Sequence, residues 1–193
     1  MKQNKVIAIT GGIGTGKSTV LSAIKKLGYP VYSCDETYGE LIKDKAFLTE
    51  LKAIFPVAVD ENFCFDKLKL ANAVFNDKTK LKKLNDFTHP YILKTIFDKI
   101  KNGGDTLSFV EVPLLFEGGY QTLFDGVIVI KRDLEERILS TIKRSGLTRE
   151  EVLKRIENQF DYEKLNDFAH TIIYNDDLSL LEEKVIDAIK KIC

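Results

Sequence analysis

Gly11-Gly12-Ile13-Gly14-Thr15-Gly16-Lys17-Ser18-Thr19 follows directly on the apolar run Val6-Ile7-Ala8-Ile9. Gly11 to Ser18 satisfy the spacing GxxxxGK[ST], which marks a phosphate-binding loop when a strand precedes it and a helix follows. Asn4 to Thr10 predicts a short buried strand, because its contiguous apolar residues stop abruptly at glycine. Lys17 to about Leu27 predicts a helix: Val20, Leu21, Ile24 and Leu27 recur at helical spacing, and Gly28 ends the pattern before Pro30. Backbone N–H groups of such a loop, with the helix N-terminus behind them, wrap an anion, and the glycines keep side chains out of its way. Gly12, Ile13, Gly14, Thr15, Gly16, Lys17, Ser18 and Thr19 are therefore the expected nucleotide-binding residues. Lys17 is expected to reach the β- and γ-phosphates, the Ser18 hydroxyl to coordinate Mg²⁺, and Thr19 to support the α-phosphate.

Outward from this loop, buried strands are expected at Val31 to Cys34, Leu107 to Val112, Gly126 to Ile130 and Thr171 to Tyr174. The stretch from Glu36 to about Lys101 reads as mostly helical, through Leu68, Ala71, Val74 and Phe75, then Leu81, Leu84 and Phe87, then Ile92, Ile96 and Ile100. Further helices are expected at Leu134 to Lys143 and Glu151 to Phe160, the second opened by a capping box between Thr148 and Glu151. Strands alternating with helices imply a three-layer α/β fold with a mainly parallel five-stranded sheet. One domain over 1–193 is expected: a core of 1–35, 102–135 and 166–193, a helical acceptor-binding region at 36–101, and a lid at 136–165.

The chain has 193 residues and 44% hydrophobic content, enough for one ordinary core with an inserted subdomain. Lys+Arg and Asp+Glu both number 29, so no overall field draws it to nucleic acid or an anionic membrane, and a small-molecule partner is expected. Cys34, Cys64 and Cys193 are widely spaced and odd in number, which fits neither a disulfide framework nor a zinc site. No apolar run is long enough for a membrane span or a signal segment, so a cytoplasmic protein is expected.

The loop alone does not separate kinase, GTPase and mechanical ATPase. An Asn-Lys-x-Asp guanine-reading tetrapeptide is absent, which argues against a GTPase. Asp35 follows the second expected strand, at the carboxyl edge where ligands of such sheets gather. A carboxylate there suits the orienting of an acceptor hydroxyl, although the same position suits the capping of the next helix. Glu111, at the end of LSFVE, is placed to bind Mg²⁺ through water or simply to face solvent.

GGIGTGKST, Cys34-Asp35 after a strand, His89-Pro90, Pro113-Leu114-Leu115-Phe116-Glu117 and Arg155-Ile156-Glu157-Asn158-Gln159, in that order, resemble the dephospho-CoA kinases over residues 5 to about 175. The resemblance implies transfer of the ATP γ-phosphate, with Mg²⁺, to the ribose 3′-hydroxyl of dephospho-CoA. It implies that Asp35 faces that hydroxyl, that His89-Pro90 forms a turn in the acceptor region, and that Pro113, Leu114 and Glu117 lie on the acceptor side. Lys67 stands where the family usually has arginine, in a position to meet an acceptor phosphate. Arg144, Arg149 and Arg155 fall in the segment resembling the family's lid, Arg144 being the first choice for neutralising charge on the transferred phosphoryl. Ala169 to Asn175 resembles the strand that approaches adenine and puts Asn175 at the base, with His170 where an aspartate is usual. The competing readings are another small-molecule kinase, acting on a nucleoside, nucleotide or sugar, and a P-loop regulatory ATPase.

Overall fold

Contiguous apolar strands need cover on both faces, and the computed structural model, which describes residues 4–75, 77–162, 165 and 171–192, supplies it. Strands β1 (Lys5–Thr10), β2 (Val31–Ser33), β3 (Leu107–Glu111), β4 (Gly126–Lys131) and β5 (Thr171–Tyr174) form one sheet in the order β2-β3-β1-β4-β5. The pairings of β1 with β3 and β4, and of β4 with β5, are parallel. The loop-bearing strand β1 is thus central, as the expected five-stranded sheet requires.

The chain divides into two compact units, one of residues 1–32 with 104–193 and one of residues 33–103. In the first, α1 (Lys17–Lys26) and α8 (Leu181–Ile192) contribute Val20, Leu21, Ile24, Leu181, Val185 and Ile189 to a core with Ile7, Ile9, Phe109, Ile128, Ile130 and Ile173. The alternating residues Ala8, Val110, Val127 and Val129 point to the opposite sheet face and are equally buried. Helices α6 (Leu134–Ser145) and α7 (Arg149–Glu157) add buried Ile138 and Val152. The capping box at Thr148 and Glu151 forms as the sequence predicts, and α7 ends at Glu157, short of the expected Phe160. Gly28, at φ 87°, follows α1 as a helix-ending glycine.

The unit 33–103 is helical: α2 (Cys34–Leu41), α3 (Lys45–Ile54), α4 (Lys67–Val74) and α5 (Lys78–Gly103). Aspartates start three of them, with Asp44 accepting from Phe47 N, Asp66 from Lys69 N and Asp77 from Lys80 N, each at 2.9 Å. Phe47, Leu48, Leu51, Phe55 and Leu70 form its core, with Phe47 stacked on Phe87 at 5.4 Å and edge-on to Tyr91 at 5.5 Å.

His89-Pro90 is not a turn. Helix α5 runs through it, with Pro90 inside. A proline in a helix interior costs about 3 kcal/mol relative to alanine. Packing on both sides of it outweighs that cost: Ile92, Leu93, Ile96 and Ile100 are buried beyond the proline, and Phe87 and Tyr91 join the ring cluster beside it. Burying each large aliphatic side chain contributes about 1.5–3 kcal/mol.

Candidate active site

The loop between β1 and α1 has the backbone its glycines predict. Gly14 and Gly16 take φ 78° and 83°, the left-handed region that side-chain-bearing residues avoid. A Cβ on Gly14 would strike the Arg137 carbonyl, and one on Gly16 would strike the Asn175 amide. Both glycines therefore serve close approach as well as turning. Thr15 is buried, and its hydroxyl donates to Gly12 O at 2.9 Å, closing the loop on itself. Lys17 Nζ donates to Gly11 O at 2.7 Å and to Gly12 O at 3.3 Å, so the cation lies over the loop it is expected to serve. Ser18 and Thr19 are exposed in the first turn of α1.

Asn175 lies just beyond β5 and is 3% exposed. Its Nδ2 donates to Thr15 O at 2.9 Å, across 160 residues of sequence, so it braces the phosphate loop from below. Oδ1 of the same amide is buried with no hydrogen-bond partner among the described residues. The resemblance to the adenine-approaching strand put Asn175 at the base, and the structure puts its amide on the loop backbone. Ala169 and His170 of that stretch lie outside the described residues.

Sequence reasoning missed the residues that α6 brings to the loop. Arg137 Nε donates to Ile13 O at 3.0 Å, and Ser140 Oγ donates to Gly14 O at 3.2 Å. Thr141 is buried and donates to Arg137 O at 2.7 Å. These three positions recur at i, i+3 and i+4, one helical face, and that polar stripe beside Ile138 was the signal available in the sequence. Arg144, the first choice, is exposed in the last turn of α6. Arg149 is bound fork to fork by Glu135, at 2.8 and 2.6 Å, which holds the Glu135 carboxyl below its ordinary range.

The segment after α7 is clamped between PLLFE and the loop. Glu117 Oε1 accepts from Phe160 N at 3.0 Å, and Phe160 stacks on Phe116 at 4.8 Å. Ile13 N donates to Gln159 Oε1 at 2.8 Å. The buried Tyr162 hydroxyl meets Thr10 Oγ1 at 3.2 Å, at the end of β1. Burial, first, pushes the Tyr162 pKa up from its ordinary 10.0 to about 12, with the Glu117 charge adding to the rise. Pro113 and Leu114 are half-buried, Leu115 is fully buried, and Glu117 is exposed. PLLFE is thus both a packing and an anchoring element.

In the helical unit, Ser33 caps α2 by accepting from Glu36 N at 3.5 Å, so that Asp35, exposed in the first turn, does not serve as the cap. Lys67 opens α4 at the edge of a surface cleft of about 580 Å³ that includes Asp60, Cys64 and Lys69. His89 is half-buried within α5. Among the described residues no group of three or more His, Cys, Asp or Glu is placed to hold a metal ion, and no helix is long and apolar enough to cross a membrane.

A parallel sheet with a glycine loop at the end of its central strand, a lysine lying over that loop, and polar helix residues gathered on it define a P-loop nucleotide-binding fold of the α/β class. The family follows from comparison with known proteins. Residues 5–180 match the model of the dephospho-CoA kinase family, and the chain belongs to that family. Dephospho-CoA kinase of Thermus thermophilus is 37% identical over 170 residues, covering 88% of this chain and 82% of the relative. A Thermus thermophilus protein of known crystal structure superimposes with a TM-score of 0.86 at 35% identity, covering 98% of this chain and 97% of its own. The dephospho-CoA kinase of Campylobacter jejuni does so with a TM-score of 0.63 at 27% identity, again covering 98% and 97%. The chain is accordingly a kinase with an alcohol-group acceptor, and ATP is its co-substrate.

Proposed function

We propose that the chain transfers the γ-phosphoryl group of ATP to the ribose 3′-hydroxyl of dephospho-CoA, giving coenzyme A and ADP, the last step of coenzyme A biosynthesis. The observation that carries this reading is the closed GGIGTGKST loop, with Lys17 over it, inside a chain that matches the dephospho-CoA kinase family across residues 5–180. The acceptor oxygen forms the new bond to phosphorus as the β,γ-bridging bond breaks, and the electron pair leaves with ADP. Asp35 orients the acceptor hydroxyl and takes its proton. Lys17 and the loop amides hold the charge on the phosphates, and Arg137, whose guanidinium lies against Gly12, joins them in place of the exposed Arg144.

Mg²⁺ fits this site through the Ser18 hydroxyl in the first turn of α1, an oxygen donor of the kind that ion takes, and when bound it supplies charge neutralisation at the phosphates. Lys67, His89, Pro113, Leu114 and Glu117 are assigned to the acceptor side, Glu117 acting through its hold on Phe160. Dephospho-CoA and ATP are the partners, without nucleic acid or membrane, and the cytoplasm is the place of action.

The test is ADP production by the purified protein with Mg²⁺-ATP and dephospho-CoA, beside a panel of nucleosides, nucleotides and sugars, with mass detection of the product. Dephospho-CoA-dependent ADP and a product heavier by one phosphoryl group are expected, and activity on a panel compound alone would overturn the acceptor. Asp35→Asn is expected to lose turnover by about 10²–10⁴-fold while binding ATP normally. Unchanged turnover removes Asp35 from its role.

A further inference from the structure

Asn175 is anchored where β5 ends, by partners that lie outside the phosphate loop. Its N–H donates to Lys131 O, at the end of β4, at 2.9 Å. On one side of it Tyr174 O accepts from Lys184 Nζ of α8 at 2.9 Å, and on the other Asp176 pairs with the same ammonium. Sheet and helix thus fix the backbone from which the side chain reaches the loop. That side chain is 3% exposed, and its Nδ2 donates to Thr15 O at 2.9 Å. Turned the other way, the amide would set Oδ1 against Thr15 O, two acceptors with no proton between them, so the contact requires the donor. Thr15 is tied on its other side as well, by the bond from its hydroxyl to Gly12 O. The brace therefore runs from the sheet, through Thr15, across the loop. It also fixes the orientation of one peptide. A trans peptide directs its N–H opposite to its C=O, and no peptide bond among the described residues is cis. With Thr15 O drawn onto the buried amide, Gly16 N–H is turned away from it. Gly16 takes the left-handed turn at φ 83°, and a Cβ there would lie 2.1 Å from Asn175 Nδ2, so only glycine lets the amide come this close. Gly16 O then accepts from Thr19 N and Val20 N at 3.0 and 3.3 Å, and the oriented peptide leads directly into α1 and its Lys17.

We infer that Asn175 is a positioning residue of the phosphate loop and not a reader of the base: its amide fixes the Thr15–Gly16 peptide and, with it, the backbone that enters α1. This rests on the reading of the loop as the ATP site. A GxxxxGK loop holds an anion by its backbone, and a backbone fixed before the ligand arrives spares the ligand the cost of ordering it. Loss of the amide is therefore felt by every ligand that the loop holds through phosphates, whether or not that ligand carries a base. A base-reading Asn175 gives the reverse pattern, in which adenosine loses affinity and a bare phosphate chain does not. The donor is the essential part, since the bond ends on a carbonyl oxygen. One hydrogen bond of ordinary net strength corresponds to about three- to tenfold in affinity.

The experiment is calorimetric titration of the full chain, as wild type, Asn175→Leu and Asn175→Asp, with Mg²⁺-ATP, Mg²⁺-tripolyphosphate and adenosine. Asn175→Leu keeps the volume and removes the donor. It is expected to bind Mg²⁺-ATP and Mg²⁺-tripolyphosphate each about three- to tenfold more weakly, with adenosine unchanged. KM for ATP rises with it while KM for the acceptor stays. Asn175→Asp keeps the shape and puts an acceptor where the donor was, so near neutral pH it is expected to weaken both phosphate ligands at least as much. As the pH falls from about 8 to about 5, its affinities, taken as a ratio to wild type at each pH, are expected to recover. Burial raises an aspartate pKa above its ordinary value of about 3.9, and the protonated carboxyl again donates to Thr15 O. Undiminished tripolyphosphate binding by Asn175→Leu overturns the inference, as does a loss that adenosine shares, which marks base reading or a purely structural role. Should Asn175→Leu not fold, absence of the recovery in Asn175→Asp overturns it in the same way. Failure of the wild type to bind Mg²⁺-ATP overturns the proposed function as well, whereas wild-type binding with no loss in the variants overturns this inference alone.

Discussion

Within the unit that carries the phosphate loop and within the helical unit of residues 33–103, different kinds of side chain form the core. The first packs Ile7, Ile9, Ile24, Ile128, Ile130 and Ile173 against a sheet, and three of its buried polar groups, Thr15, Thr141 and Asn175, lie on the loop or bond to it or to the helix against it. The second packs rings: Phe47 meets Tyr38, Phe87 and Tyr91, and Phe65 meets Tyr38. Its assigned site residues, Asp35 and Lys67, are exposed, and His89 is half-buried. In the sheet unit, then, the core is the site's foundation, because the strand that fills it ends in the loop. In the helical unit the core shapes a surface, and Asp35 and Lys67, the residues proposed for the acceptor, lie on that surface.

Phe47→Ala should give the largest effect that distinguishes the two. Truncating a fully buried aromatic costs about 3–5 kcal/mol, and Phe47 is 2% exposed at the centre of its ring cluster. Amide exchange is expected to accelerate across residues 33–103, and acceptor-dependent turnover to fall, while Mg²⁺-ATP affinity stays within about twofold of wild type. Equal loss of protection in β1 and α1 would break the comparison. Lys17→Ala should act in the opposite sense. Removing one preorganised donor from a charge-stabilising site lowers turnover by about 10²–10³-fold, and melting temperature is expected to move little because the bonds from the ammonium to Gly11 O and Gly12 O lie within the loop itself. A large drop in melting temperature would show that the lysine is structural.

The sheet, the loop and α1 were legible in the sequence because each rests on local rules: contiguous apolar residues for buried strands, glycines for positive φ, helical spacing for Val20, Leu21 and Ile24. Capping at Thr148 was legible for the same reason. His89-Pro90 was misread because proline predicts a break locally, and only burial of residues on both sides overrides it. The contacts that Arg137, Gln159 and Asn175 make with the loop were missed because their partners lie 124, 146 and 160 residues away. No local pattern reports which of several helix arginines faces a distant loop; Arg144 and Arg137 differ by two helical turns and by nothing else that spacing reveals.

The mildest test of the comparison is Tyr162→Phe, which probes whether a buried polar group of the sheet unit supports stability through its environment. Tyr162 has its pKa raised to about 12 by burial, so the folded state holds the phenolic proton more tightly than the unfolded state, whose value is near the ordinary 10.0. The stability this contributes is fully present below pH about 10 and is lost as the pH rises toward about 12, by at most about 2–3 kcal/mol. Tyr162→Phe removes the titrating group, and with it the hydroxyl contact to Thr10 at 3.2 Å. Denaturant unfolding near neutral pH is therefore expected to show a loss of about 1 kcal/mol from that contact, while between pH about 10 and 12 the variant loses less further stability than wild type. Parallel pH curves would mean that the Tyr162 hydroxyl titrates alike in both states, and that its burial at the end of β1 does not govern its charge.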